Sequence, residues 1–518
     1  MVCCRGKAVQ LARNARCIGE RMKKIRQASS VILRRPDDSA VYLVRRNDVL
    51  RFFGGFWAFP GGGIHPSDRG ASASVIGAAD AEAAAFIVSC AREALEELGL
   101  DLSEASLTTD ERESLRAAVI QGEESYAVWL VQRAARIDAA KFAHAIRLLT
   151  PPFSPIRFDT LFLRLDLDLF DHAGEPTIVQ GELVDGCWAP PGAWLERWRR
   201  GEILIAPPVV LILDLLDQHG WEGATPALAE LEREFADGEI HPIFNNAAVQ
   251  LLPLLTPTLP PATHTNAYLV GRDPAYVIDP ASPYEDEQRR LSRALRAAQR
   301  KGRRLAAIVL SHHHPDHVGG VNALAREFSL PVWAHRVTAE LLAGHIQVDR
   351  LLEDGERLPL GTAPSGEEDW ELELLHTPGH APGHLCFFER EYGSLVCGDM
   401  VSTLSSILIH PSDGNMGQYF ASLERLIELP TRMLFPAHGP ATAAGRALLS
   451  EQLAHRQARQ RAVLEAVRGG AKKMEEIVER VYGELPPGFD VYAADSVRSI
   501  LLYCSELGQI SEAETDPR

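Results

Sequence analysis

The densest chemistry in this 518-residue chain is the run SHHHPDHVGG, where His312, His314, Asp316 and His317 fall on one short loop directly after the apolar stretch 307–310. Imidazole and carboxylate groups at that spacing can face a common point, and borderline divalent cations such as zinc favour this N/O mixture. Three further candidates each stand beside a glycine or proline at the end of an apolar run: His380 in HTPGHAPGH, Asp399 in CGDM and His438 in PAHG. A different set lies in the first half. Glu93, Glu96 and Glu97 of AREALEELGL are spaced so that a helix brings them onto one face, and Gly99 is placed to end that helix. Hard carboxylate oxygens arranged this way suit Mg²⁺ or Mn²⁺ carrying a diphosphate.

Taken in order, HxHxDH, GH, GD and the final histidine–glycine element resemble the metallo-β-lactamase superfamily, over roughly residues 240–445. The resemblance implies two metal ions, Zn or else Fe or Mn. His312, His314 and His380 would hold one, Asp316, His317 and His438 the other, and Asp399 would bridge them. Such a pair acidifies a water toward neutral pH for attack on a carbonyl or phosphoryl centre and stabilises the developing oxyanion. Asp316 is placed to orient or deprotonate that nucleophile. His313 and His384 match no ligand position and read as bystanders or supports for the ligands. Ala437, where glycine is common, should be tolerated.

Superfamily members hydrolyse lactams, thioesters, lactones and phosphodiesters, so membership alone names no substrate. PSDGNMGQYFASLERL and AHRQARQR resemble the lactamase-β-like endoribonucleases, in a branch that also holds glyoxalase II-like enzymes and thioesterases. That group appends a winged-helix-like module, and SILLYCSELGQI resembles its closing helix and wing. Arg446, Arg456, Arg459, Arg461, Arg468, Lys472 and Lys473 leave this region basic. It would either contact phosphates or form a solvated helix face.

FWAFPGGGI followed by AREALEELGL resembles the Nudix hydrolases, and RFDTLFL and EILIAPP resemble the subgroup related to the peroxisomal coenzyme A diphosphatase. The resemblance gives Glu93, Glu96 and Glu97 metal-binding and catalytic roles and sets Arg92 beside them. There are two departures. An insertion containing SDRGASASVIGAA separates the glycines from the glutamates, and Ala84 replaces the first glutamate of the family box, leaving Glu82 as the expected partner of Arg92. The segment from Leu43 through Arg46, Asn47 and Arg51 to Gly62 approximates a coenzyme A-cleaving signature, in which Arg46 and Arg51 would meet nucleotide phosphates.

These residues need scaffolds, and the chain is too long for one core. Apolar runs 31–33 and 41–44 flank a turn at 36–39 and predict a hairpin. Residues 160–170 alternate as a half-buried strand should. Proline-rich 241–263 marks a boundary, beyond which strands near 267–270, 276–278 and 307–310 alternate with helices over 286–301, 319–328 and 417–428. Helices over 474–482 and 493–507 close the chain. The expected architecture is multidomain α/β. A basic leader occupies 1–24, either floppy or an organelle transit peptide. A Nudix α/β/α sandwich follows over 25–237, a metallo-β-lactamase αββα sandwich over 238–448, and a winged-helix-like module over 449–518.

A formal charge of −17 argues against non-specific nucleic-acid binding by the whole surface. The cysteines, at 3, 4, 17, 90, 187, 386, 397 and 504, form no CxxC pair and suit a reducing compartment, so a cytoplasmic location is expected. The most apolar stretch, 203–216, is short and contains Pro207 and Pro208, so no membrane partner is expected. The chain therefore reads as a bifunctional hydrolase of small molecules such as nucleotide diphosphate or coenzyme A derivatives. The alternative is a single-stranded RNA endoribonuclease whose Nudix half is a ligand-binding or regulatory module.

Overall fold

The computed structural model describes residues 25–50, 53–170 and 174–511. The basic leader and Arg51 lie outside the described residues. Two compact units separate between Asn246 and Ala247.

In the first unit, β1 (Arg26–Arg35) and β2 (Ala40–Arg46) form the hairpin expected around 36–39. β3 (Phe56–Ala58) pairs with β2, and β4 (Gly61–Gly63) pairs with β1, which sets the glycine loop beside α1 (Ala81–Leu98). Asp80 caps α1 by accepting from the Ala83 amide at 2.8 Å, and the chain leaves the helix at Gly99 with φ 68°. β5 (Ala143–Leu149) and β6 (Phe158–Asp166) extend the eight-stranded sheet, with β6 parallel to β1. The alternation in β6 predicts one wet face, yet residues 161–165 are buried without a break. The reason is a second cover: α2 (Pro207–Ala236) packs on this edge of the sheet, and Arg164 lies against Trp221 and donates to Thr225 at 2.7 Å. Pro207 and Pro208 sit in the first turn of α2, where no intrahelical donor is lost. No helix of the described residues is long and apolar enough to cross a membrane.

In the second unit, β7 (Val249–Leu255), β8 (His264–Gly271) and β9 (Ala275–Ile278) form an antiparallel meander. Helix α3 (Glu285–Arg300) then crosses over to β10 (Leu305–Val309), which continues in parallel to β11 (Val332–His335) and β12 (Arg350–Leu352). A five-stranded sheet follows, in the order β13 (Arg357–Gly361), β14 (Trp370–His376), β15 (Leu385–Glu389), β16 (Ser394–Gly398) and β17 (Met433–Pro436). Helix α4 (Met416–Ile427) connects β16 to β17. The two sheets meet through Tyr268, whose hydroxyl donates to the Pro436 carbonyl at 2.6 Å and whose ring meets Phe435 edge-on. Strands β9, β15, β16 and β17 are buried throughout, as layered α/β packing requires.

Helices α5 (Gly445–Arg468), α6 (Met474–Tyr482) and α7 (Asp490–Glu506) belong to this same unit. Val463, Ile477, Val497 and Leu501 join one core with Tyr419, Leu423 and Phe388. Residues 499–506 stay helical and no strand follows them among the described residues, so the wing expected from SELGQI is not formed there.

Candidate metal centre

Four strand ends converge on one site. The ends of β10, β14, β16 and β17 lead directly into loops 310–317 and 377–380, Asp399, and His438. His312 Nε2 and His380 Nε2 lie 3.0 and 2.9 Å from His314 Nδ1. Three imidazoles turned inward at this spacing approach the edge of a tetrahedron around a small cation, about 3.3 Å for nitrogen ligands at about 2.0 Å. Asp316, His317 and His438 gather as a second group, and His312, His317 and Asp399 as a third between them. Asp399 divides its oxygens: Oδ2 is 3.4 Å from His380 Nε2, while Oδ1 is 3.3 Å from His438 Nε2 and 3.6 Å from His317 Nε2.

Two observations test whether a cation pair fits. His317 Nε2 and Asp399 Oδ1 are buried and have no hydrogen-bond partner, a costly state for a nitrogen and a charged oxygen unless a cation takes their lone pairs. Every one of the five histidines also has its other nitrogen held. The partners are Ser311 Oγ for His312 (2.9 Å), Asp413 for His314 (3.1 Å), Asp279 for His317 (2.9 Å), the Leu408 carbonyl for His380 (2.9 Å) and the His264 carbonyl for His438 (3.0 Å). Such contacts leave one lone pair of each ring directed at the centre. The residues fit a dinuclear site.

The electrostatics run in two directions. Burial holds His312 well below the ordinary imidazole value and brings His380 down to about 4. Burial opposes charge on His317 and His438 most strongly, but Asp399, joined by Asp279 at His317 and by Asp316 at His438, lifts both. Desolvation of Asp399 is likewise overcome by His438 and His317, which keep its carboxyl ionised.

Neither Asp279 nor Asp413 is a reading the sequence offered, although Asp279 ends an apolar strand just as the ligands do. His384 supports the site: it is fully buried, takes the Asp399 amide on Nε2 at 3.1 Å and meets Thr377 at Nδ1. Gly398 makes this possible, since a Cβ there would fall 2.5 Å from His384 Nε2. His313 Nε2 lies 3.3 Å from Asp413. Arg456 and Arg459 of the basic tail turn inward, Arg456 over the Tyr419 ring and Arg459 over Tyr482, where they donate to backbone carbonyls.

In the first unit, Glu97 accepts the Gly61 amide at 2.8 Å, and Glu93 lies against Gly62. Burial raises Glu93 to about 7, against the pull of Arg92, and raises Glu97 well above the ordinary carboxylate value. The three glutamates do not gather about one point as the histidines do. Arg92 instead bridges Glu93 (2.9 Å) and Glu96 (3.2 Å). Glu82 is not its partner: Glu82 pairs with Arg147 and Gln27 at the surface, and Arg92 pairs with fully buried Asp68, which the insertion supplies. Arg46 pairs with Glu182 at 2.8 Å.

Comparison with known proteins places the second unit. The family described as "Metallo-beta-lactamase superfamily" matches residues 260–438. A lactamase-like protein, nscB, of Trichophyton rubrum is 30% identical over 239 residues, covering 43% of this chain and 68% of its own. The chain belongs to the metallo-β-lactamase superfamily. Within that superfamily, a hydroxyacylglutathione hydrolase of Bdellovibrio bacteriovorus is 31% identical over 25% of this chain, and the match spans about half of that relative, 47%. An atrochrysone carboxyl ACP thioesterase of Aspergillus fumigatus is 24% identical, covering 46% of this chain and 75% of its own. The chain is also similar to a crystal structure of a NUDIX hydrolase from Alicyclobacillus acidocaldarius, 30% identical with a TM-score of 0.34, covering 40% of this chain and 97% of that one.

Proposed function

We propose that the second unit of this superfamily hydrolase cleaves a thioester at a dinuclear centre of Zn, Fe or Mn. The observation that carries the reading is the carboxylate of Asp399, one oxygen turned to each group of histidines. His312, His314 and His380 hold one ion, and Asp316, His317 and His438 the other. When bound, the ions supply an acidified water and positive charge against a developing oxyanion. The protein's own residues do the rest. Asp316, 3.6 Å from His438 and the more exposed of the two, orients the nucleophile and accepts its proton. Asp399 fixes the separation of the two clusters, and His384 fixes Asp399. The hydroxyacylglutathione hydrolase and ACP thioesterase among the relatives favour a thioester over a phosphodiester.

For the first unit we propose a Nudix-like site for a nucleoside-diphosphate-linked compound, with Mg²⁺ or Mn²⁺ on Glu93, Glu96 and Glu97, with Arg46 and Arg51 as phosphate-binding residues, and with buried Arg92 holding the glutamates. Coenzyme A derivatives are the substrates that would unite the two units, one opening the acyl thioester and the other the diphosphate. The Arg92 bridge between Glu93 and Glu96 favours a second reading, in which this unit binds its ligand without cleaving it. The five described cysteines are free, which fits a reducing cytoplasm.

The deciding experiment measures hydrolysis of acetyl-coenzyme A, coenzyme A and single-stranded RNA by metal-replete protein, beside His314→Ala and Glu96→Ala. Thioester loss confined to His314→Ala, with diphosphate cleavage lost only in Glu96→Ala, is the expected result. Coenzyme A binding without cleavage would leave the first unit a binding module. RNA cleavage sensitive to His314→Ala, with no thioester turnover, would replace the thioesterase reading with a nuclease.

A further inference from the structure

Two of the five imidazoles in the metal centre are held by one irregular segment, residues 402–415. Leu408 gives its carbonyl to His380 Nδ1, and Asp413 gives Oδ2 to His314 Nε2. The other three are held by residues within or beside the strands. His314 has the more exposed ring of the first cluster, and Asp413 is the carboxylate that fixes which of its nitrogens carries the proton. A proton on Nε2, donated to Asp413, leaves Nδ1 bare toward His312 and His380.

The segment has no ladder or helix of its own, so its position depends on what grips it. Arg456 of α5 is buried and donates to the Ile407 carbonyl. Ser499 of α7 donates to the Ile409 carbonyl at 2.6 Å. His410 Nε2 lies 3.6 Å from Asp495 of α7. On the other side, the Asn415 amide donates to the Gly379 carbonyl at 2.8 Å, next to His380. The carbonyls of 407 and 409 are held by the C-terminal helices, while Leu408 between them and Asp413 beyond them face the histidines.

We propose that Asp413 is the positioning residue for His314, and that the C-terminal helices serve the metal centre by holding the segment that carries Asp413 and Leu408. The inference rests on the dinuclear reading above. It gives the α5 arginine a structural task inside this unit in place of contact with a polyanion.

The test measures stepwise Zn²⁺ and Co²⁺ affinities by chelator competition on the full chain, with Co²⁺ absorption to tell the two sites apart, for wild type, Asp413→Ala, Asp413→Asn and Ser499→Ala. Asp413→Ala is expected to weaken the ion on His312, His314 and His380 by about 10–100-fold and to leave the other ion little changed. Asp413→Asn keeps an acceptor of the same shape and should lose less. Ser499→Ala, remote from the ions, should weaken the same ion by roughly two- to tenfold, the size of one net hydrogen bond. Wild-type affinities in Asp413→Ala and Ser499→Ala would overturn the inference, as would equal losses at both ions. A wild-type chain that binds no stoichiometric divalent ion would instead overturn the dinuclear reading itself.

Discussion

His317 donates from Nδ1 to Asp279 Oδ2 across 2.9 Å, and the same carboxylate takes the Ser311 amide on its other oxygen at 2.8 Å. Asp279 adopts φ 48°, a left-handed conformation that a non-glycine residue reaches at a cost. The Ser311 hydroxyl donates to Asp279 Oδ2 as well, and that cost and three donors on one buried carboxylate point to a residue kept for what it holds. Removing it in Asp279→Ala should weaken the ion on Asp316, His317 and His438 by about 10–100-fold and spare the other. Chelator competition would show this as the mirror image of the Asp413 result. Loss of the His312 ion first would mean that Asp279 does not act through His317.

Asp68 and Glu82 make a contrasting pair in the first unit. Asp68 is fully buried against the Arg92 guanidinium, itself only 3% exposed, whereas the Glu82 carboxylate meets Arg147 and Gln27 in solvent. Asp68→Ala removes one of three carboxylates paired with a buried cation, leaving Glu93 and Glu96, and should cost about 1.5–3 kcal/mol, while Glu82→Ala should cost about 1 kcal/mol or less. Urea unfolding of both variants decides it. Similar midpoints would show that Glu93 and Glu96 alone satisfy Arg92.

The contrast between Asp68 and Glu82 also shows what a sequence conceals. His312, His314, Asp316 and His317 were legible because six residues on one loop fix their own geometry, and the other ligands because each follows an apolar run that must end at the same edge of a sheet. The residues that hold them were not legible. Asp279 and Asp413 act over separations of 38 and 99 residues, and no local spacing encodes such a contact. Glu82 lay near Arg92 along the chain, but the insertion folds Asp68 into the place first. Along the sequence, β6 looks half-wet because Arg164 and Asp166 alternate with leucines, and only the cover of α2 buries residues 161–165 without a break.

The turn before His380 carries a steric prediction. A Cβ on Gly379 would lie 2.3 Å from the Tyr419 Cα, at a φ of 141°, so neither backbone nor helix α4 can yield cheaply. Gly379→Ala should push the loop off α4, break the Asn415–Gly379 hydrogen bond and cost about 3 kcal/mol or more, at the upper end for a single change. Gly223→Ala, in α2 with its nearest neighbour at 3.6 Å, should be neutral or slightly stabilising. Thermal unfolding of the two variants separates them, and a well-tolerated Gly379→Ala would mean that the loop is free to shift.

A stacked pair away from the ions predicts a pH dependence. The rings of His335 and His376 lie nearly parallel with centroids 4.2 Å apart, where β11 and β14 end. Burial first, then His376 and Arg336, bring His335 down to about 4, and Asp354, itself tied to Arg425, offsets only part of this. In the unfolded chain the ring titrates near 6.5. Between those values the unfolded state binds the extra proton, so stability falls as pH drops from about 6.5 to about 4 and is unaffected by this group above that window. His335 Nδ1 also accepts the Val337 amide at the start of helix Arg336–Leu341, a role that asparagine can keep without titrating. His335→Asn should therefore give a flatter decline of the urea midpoint between pH 7 and 4.5 than wild type, with both proteins stripped of metal so that ligand protonation cancels. Equal slopes would mean that the imidazole is already solvated enough to charge within the fold.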